Sequence, residues 1–427
     1  MSQLPRLTGA LLALGRGIAA CTPAGSARLA QSSLPRDVHP SLPADAIAQP
    51  TASNSIFATE LYQRLVPHAG NLVFSPFSIS IALAMPYAGA RGETELQMAR
   101  VLHFALPQAD LQRAFDQLDL TLTQEGQASA DGGQPMQLDI ACGAWAEQTI
   151  AILPQYLDTL SSYYGAGLHL ADFVNQPDAA RRQINSWVGQ QTKDKIKNMI
   201  PDGALGFDAR LVLVNAIYFK ADWQAQFDPR DTKPGDFTRL DGSQVQVQMM
   251  SKSTTTVPYV AGSVYQAVEL PYQGGGAAMD VIVPDQGAFQ SFEAGLDAQA
   301  LNQILGSMQR KSLALTLPKF RFDGDFDLAN QLSDMGMPDA FDPSRADFSA
   351  ITGDRDLFIA RILHEAQVAV DEKGTEAAAA TSVIMAPTLS LEVGMMLRVD
   401  RPFIFIIRDL GTGQILFLGR VLDPTQP

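Results

Sequence analysis

The chain reads as an α+β protein, and three observations carry that reading. Helical periodicities fill its first half, strand signals fill its second, and a nearly continuous apolar run, Leu211–Phe219, joins them. Helices first and antiparallel strands later are the order of an α+β fold. At 427 residues, 46% of them hydrophobic, one large domain can bury a sizeable core.

The elements follow in order. Residues 1–21 place Arg6 before an apolar stretch, Leu7–Ala20, that ends in small residues, the pattern of an export signal. Ile18-Ala-Ala-Cys21 has the form of a bacterial lipobox, which makes Cys21 a lipidation candidate. The expected destinations are the periplasm, the cell surface through a lipid anchor, or the extracellular space. Residues 22–52 are rich in Pro, Ser, Ala and Gln without periodicity, and are expected to be a flexible linker. A helix is expected from about Asn54, with Ile56, Phe57, Leu61 and Leu65 at helical spacing. Ser75-Pro76 starts the next, with proline in the first turn where its missing N–H costs nothing. Gln155–Gly165 and Asp178–Asn198 also read as helices.

Gln137–Trp145 alternates like a strand and makes Cys142 a small buried hydrophobe. Leu211–Phe219 is expected to be a strand covered on both faces. Further strands are expected at Gln244–Met250, Tyr265–Leu270, Ala278–Val283, Ser312–Phe322 and Gln367–Asp371, then at Arg401–Arg408 and Ile415–Val421.

Composition excludes several function classes. Lys plus Arg number 31 against 45 Asp plus Glu, a formal charge of −14, which argues against nucleic acid as partner. There is no Gly-x-Ser-x-Gly, His-Glu-x-x-His, phosphate loop or Cys-x-x-Cys. None of the five histidines (His39, His68, His103, His169, His364) is spaced from another like a metal-ligand pair. Neither catalysis nor a metal is expected.

The most informative tract is Asp371–Ser382. Its Ala-rich centre is a good helix former. With period-2 alternation it is equally a strand with Thr375, Ala377, Ala379 and Thr381 on one small uncharged face, and Glu376, Ala378, Ala380 and Ser382 on the other. Such a strand could slide between existing strands without wedging them apart. Gly374 supplies a pivot.

Five motifs, in one order, resemble those of the serpin family, and the resemblance runs from about Ser53 to Pro427. Asn71-Leu-Val-Phe-Ser-Pro-Phe-Ser-Ile-Ser80 is similar to the helix behind the family's main sheet. Val214–Trp223 resembles its third strand, and Leu317-Pro-Lys-Phe320 the strand nearest the hinge. Arg401-Pro-Phe403 and Gly419-Arg-Val-Leu-Asp-Pro424 resemble the C-terminal strands.

The resemblance implies a serpin domain over residues 53–427: helices around a large mixed sheet, smaller antiparallel sheets, and an exposed reactive-centre loop at about 372–397. It implies a monomer without cofactors that inhibits serine proteases as a suicide substrate. A hinge over Glu372, Lys373, Gly374, Thr375, Glu376, Ala377, Ala378, Ala379 and Ala380 enters the sheet after acylation. Ser75, Ser78, Asn215 and His364 match a polar cluster where the sheet parts, and Lys319 and Trp223 match restraints on the hinge. Counting fourteen positions from Gly374, as the family pattern directs, places the reactive bond at Thr388-Leu389, with Ile384 and Met385 as alternative reactive residues. A small β-branched residue there suits elastase-like or subtilisin-like proteases rather than trypsin-like ones. Ala109–Met136 holds one basic residue, Arg113, so no heparin-type activation is expected. The rival functions are a non-inhibitory carrier or storage serpin and a surface-tethered binding module.

Overall fold

The computed structural model describes residues 28–127, 136–375 and 395–426. Cys21, Glu376 to Ala380, Ile384, Met385, Thr388 and Leu389 lie outside the described residues.

The strands run in chain order as β1 (Arg28–Ala30), β2 (Leu72–Phe74), β3 (Gln137–Glu147), β4 (Leu168–Ala171), β5 (Leu211–Asp222), β6 (Lys233–Thr238), β7 (Gln244–Ala261) and β8 (Tyr265–Pro271). They continue as β9 (Ala277–Pro284), β10 (Gln309–Pro318), β11 (Phe320–Asp327), β12 (Ile359–Val370), β13 (Gly374–Thr375), β14 (Met395–Arg398), β15 (Phe403–Asp409) and β16 (Ile415–Val421). A seven-stranded mixed sheet has the order β1-β4-β3-β5-β13-β12-β11, with β5 and β12 also paired directly. The smaller sheets expected from the sequence are joined along β7 into a nine-stranded sheet, β14-β10-β7-β8-β9-β15-β16-β2, with β6 beside β7.

Both faces of the first sheet are covered, which explains the unbroken apolar run of β5. Leu211, Leu213, Ile217 and Phe219 enter the main core, while Val212, Val214 and Ala216 pack with Ile184 and Val188. The latter two belong to a helix over Pro177–Gln191. That helix ends well before Asn198, where the sequence periodicity carries it. The Thr192 hydroxyl donates to Val188 O and accepts from the Ile196 amide, and Lys193, Asp194 and Asn198 have positive φ. A side chain that bonds the local backbone competes with the helical ladder.

Two other expectations are corrected. The first helix, α1, spans Ala44–Leu65 and begins ten residues before Asn54, with Pro50 inside it. Its buried face is Phe57, Ala58, Leu61, Tyr62 and Leu65; Ile56 is exposed. The part of the expected linker that is described is also ordered. β1 pairs antiparallel with the edge strand β4, the Asp37 amide donates to Ser162 O (2.8 Å), and Arg36 reaches Asp116 (2.7 Å) and Asp119 (2.6 Å). Linker-like composition hid a strand that covers a sheet edge, because edge pairing is made by backbone groups and needs little apolar side chain.

The single strand expected over Ser312–Phe322 is two, β10 in one sheet and β11 in the other, with Lys319 at the corner. Pro318 lacks an N–H for the ladder and is suited to a strand end. The second helix, α2 (Pro76–Tyr87), is buried along its whole length beneath the first sheet. Ser75 caps it, its side chain accepting from the Ser78 amide at 3.2 Å.

Candidate functional site

β5 and β12 run parallel and pair from Leu211/Ile359 to Tyr218/Gln367. Beyond that point a third strand lies between them. After β12 the chain turns back at residues 371–373, and Gly374 and Thr375 pair with Asp222 and Ala221 of β5, while Thr375 also pairs with Val370 of β12. The turn is held by its own acid: Asp371 Oδ1 accepts from the amides of Lys373 (2.8 Å) and Gly374 (3.3 Å). Gly374 serves here through its lack of a side chain. A Cβ on it would stand 2.0 Å from Ala221 O. The sequence suggested a pivot; the structure requires close approach of two backbones.

Thr375 points inward as the alternation predicts. It is buried, and its hydroxyl lies 2.6 Å from Tyr272 Oη, itself fully buried. Tyr272 stacks on Trp223 (centroids 4.7 Å apart, interplanar angle 7°). Trp223 tethers the turn twice: its backbone amide donates to Lys373 O (2.6 Å) and its indole Nε1 to Asp371 O (2.9 Å). The Phe227 amide donates to Glu372 O (2.8 Å). The Glu372 carboxylate accepts from Lys319 Nζ (2.7 Å) and the Thr232 hydroxyl (2.8 Å). Burial alone would raise the pKa of Glu372, but those two donors and its own amide bring it below the ordinary carboxylate value. The two hinge restraints expected from the sequence, Lys319 and Trp223, thus meet residues 371–373. Tyr272 and Thr232 join them without a sequence signal, since both come from segments distant in the chain.

Lower in the sheet, Cys142 of β3, Asn215 of β5 and His364 of β12 stand opposite one another in one row. Beneath them lie Ser75 and Ser78 of α2. The Ser75 amide donates to His364 Nε2 (3.0 Å), so the ring proton sits on Nδ1, which donates to Asn215 Oδ1 (2.6 Å). The Ser78 hydroxyl donates to the same Oδ1 (2.7 Å). Asn215 Nδ2 donates to Ser78 O (2.9 Å) and meets Cys142 Sγ (2.9 Å). Desolvation holds the His364 pKa down at about 3, so the imidazole is neutral.

All four residues of the expected polar cluster therefore come together. Cys142 is a fifth member that the sequence hid. It is half-buried rather than buried, and its thiol, pushed up to about 12 by desolvation, is a hydrogen-bonding neighbour of Asn215 and not merely an apolar filler. Only the pairing of β3 with β5 brings it there. Among the described residues no group of three or more His, Cys, Asp or Glu could hold a metal ion, and no helix is long and apolar enough to cross a membrane.

This arrangement has one chemical consequence. A strand added after Thr375 would run between β5 and β12 and would have to break the His364–Asn215 bond. The gap is thus closed by side-chain hydrogen bonds as well as by the ladder.

Comparison with known proteins agrees with this geometry. The family model for serpins, described as serine protease inhibitors, matches residues 52–424. An uncharacterised serpin-like protein of Thermococcus kodakarensis is 38% identical over 376 residues, covering 86% of this chain and 84% of that protein. Leukocyte elastase inhibitor A of Mus musculus is 36% identical over 388 residues, covering 88% of this chain and 100% of that protein. The native structure of tengpin, a thermophilic serpin, superposes with a TM-score of 0.81 at 25% identity, covering 93% of this chain and 100% of tengpin. The chain belongs to the serpin family of protease inhibitors.

Proposed function

We propose that this protein is an exported bacterial serpin that inhibits serine proteases by a suicide mechanism. The observation that carries the reading is the two-residue strand β13, already seated between β5 and β12 with Thr375 facing inward. The start of an insertion path is therefore built into the intact fold. The path continues in register. Moving from Thr375 to Thr381 along the loop moves from Ala221 to Asn215 along β5, and from Val370 to His364 along β12. In the inserted state the Thr381 hydroxyl would stand in the polar row and could take over the partners that His364 and Asn215 give up. Ala377 and Ala379, which strand alternation would put on the same face as Thr375, are small enough to enter.

The protease attacks the carbonyl carbon of Thr388, and its serine oxygen forms the ester while the Leu389 amine leaves. The released segment then inserts and carries the acylated protease away from the loop's original position. One inserted strand adds about ten backbone hydrogen bonds at roughly 1 kcal/mol net each, on the scale of a domain's whole stability. The target class is elastase-like or subtilisin-like, because Thr388 is short and uncharged. The sequence also supports an acylated Cys21 and a monomer that works without heparin.

Incubation with pancreatic elastase tests the reading. A complex that survives SDS, with a released peptide beginning at Leu389, is the expected result. Clean cleavage without complex would make the protein a non-inhibitory serpin, and no reaction would leave a binding module.

A further inference from the structure

The strands beside which the chain returns after residue 394 differ in charge from the rest of the protein. β7, β10 and β14 contain no Asp or Glu, and their charged residues are Lys252, Arg310, Lys311 and Arg398. The whole chain has 45 acidic residues against 31 basic ones, so three adjacent strands without a carboxylate depart from its composition. Arg398 is neutralised by Asp400 (2.8 Å), and Lys252 is half-buried with its ammonium on Ala225 O. Arg310 and Lys311 are free of both constraints. They are exposed, the Arg310 guanidinium donates to Thr256 O (3.1 Å), and among the described residues no carboxylate pairs with either.

Strand register places these two cations beside the reactive loop. β14 runs parallel to β10, with Met395 opposite Leu313. Gln309, Arg310, Lys311 and Ser312 therefore extend past the start of β14, on the side from which the chain arrives, and all four are exposed. At a rise of roughly 3.3 Å per residue, Arg310 stands about 10 Å beyond the level of Met395. Thr388 precedes Met395 by seven positions, which keeps it within about 24 Å of that strand end. A globular protease of about 240 residues has a radius of gyration of roughly 18 Å, so one that grips Thr388 is large enough to reach the Arg310–Lys311 corner.

We propose that Arg310 and Lys311 form a second docking point for the target protease, taking acidic residues on the rim that borders the leaving-group side of its cleft. This rests on the reading that a protease attacks the loop, and it adds which face of that protease the body selects. Exposed ion pairs contribute little to the stability of a finished complex. Their effect falls on the encounter: cations facing an acidic rim raise the association rate, and salt removes the gain. Neither residue belongs to the sheet that holds β5, β13 and β12, so the ratio of inhibitor consumed per protease should not depend on them.

Pancreatic elastase with its catalytic serine replaced by alanine reads docking without acylation or insertion, and so separates this proposal from the suicide mechanism. Two forms of that inactive elastase are compared, one unaltered and one with basic residues on the leaving-group rim changed to Glu. At low ionic strength the acidified form should associate with this protein at least about tenfold faster than the unaltered form. High salt should erase the difference. Arg310→Gln with Lys311→Gln should remove the preference, Arg310→Glu with Lys311→Glu should reverse it, and Arg310→Lys with Lys311→Arg should keep it. No preference in wild type, or the same preference in the Gln and Glu variants, overturns the proposal. So does saturable heparin binding that the Gln variant loses while its elastase preference is unchanged, which would give the corner to a polyanion. Failure of the suicide mechanism would show separately, as the absence of an SDS-stable complex with active elastase.

Discussion

His364 and Asn215 face each other across the parallel pair β12 and β5, with His364 Nδ1 2.6 Å from Asn215 Oδ1. Both side chains are fully buried. On the proposed mechanism an inserting strand would have to separate them, so one contact would belong at once to the resting fold's stability and to the barrier against insertion.

Removing Asn215 should show both effects. Asn215→Ala leaves the His364 Nδ1–H and the Ser78 hydroxyl to find other partners, and an unmet buried polar group costs about 1–3 kcal/mol. The intact protein should lose about that much in urea unfolding, and, if the cluster holds the sheet closed, the uncleaved variant should lose inhibitory activity on warming faster than wild type does. An intact variant as stable and as long-lived as wild type would count against the cluster as a latch.

Acid should loosen the same contact. The folded pKa of His364, about 3, lies below the ordinary 6.5. Between those values the unfolded chain binds the proton that the folded chain refuses, so the stabilisation is fully present above about pH 6.5 and is lost as pH falls toward 3. Asp116 and Glu365 have carboxyls pushed up to about 6 and 7 by burial, and their titration acts in the opposite sense. The measurement is therefore the difference between wild type and His364→Gln. The advantage of wild type in melting temperature should shrink from pH 7 to pH 4.5; a constant difference would place the imidazole charge elsewhere in the balance.

Two hinge substitutions separate space from charge. Gly374→Ala drives a methyl against Ala221 O and should unseat β13. Thr375→Arg buries a cation beneath the sheet, at a cost of several kcal/mol. The arginine variant should be cleaved at the same bond and turn over as substrate, its ratio of inhibitor consumed per protease rising at least about tenfold. Retention of the wild-type ratio by Thr375→Arg would end the insertion model.

Cleavage after Thr388 should raise the melting temperature sharply, because the inserted strand then pairs on both edges. Thr381→Val should reduce that gain, since a methyl replaces the hydroxyl expected opposite His364 and Asn215. A cleaved form that melts at or below the intact one contradicts insertion.

Specificity should follow one side chain. Thr388→Arg supplies the reach and the charge for a carboxylate-based pocket. The variant should gain inhibition of trypsin and lose that of elastase, read as second-order rates of complex formation. Unchanged selectivity, with a cleaved peptide starting at Met385 or Ala386, would move the reactive residue to Ile384 or Met385.

The sequence by itself determined which family of fold the chain builds and that Thr375 faces inward. The apolar run of β5 and the helix start at Ser75-Pro76 are local patterns, and both emerged in the structure; of the alternation over Thr375–Ser382 only Thr375 is among the described residues, and it faces inward. Lys319, Glu372 and Trp223 were legible through motifs. Cys142 beside Asn215, Tyr272 beneath Thr375 and β1 on the edge of β4 were not. Those contacts depend on strand register and on which segments a sheet sets side by side. No residue type encodes a partner many positions away in the chain. Gly374 shows the boundary most clearly: its identity announced a special backbone position, and only the neighbouring carbonyl of Ala221 decided that the requirement was space.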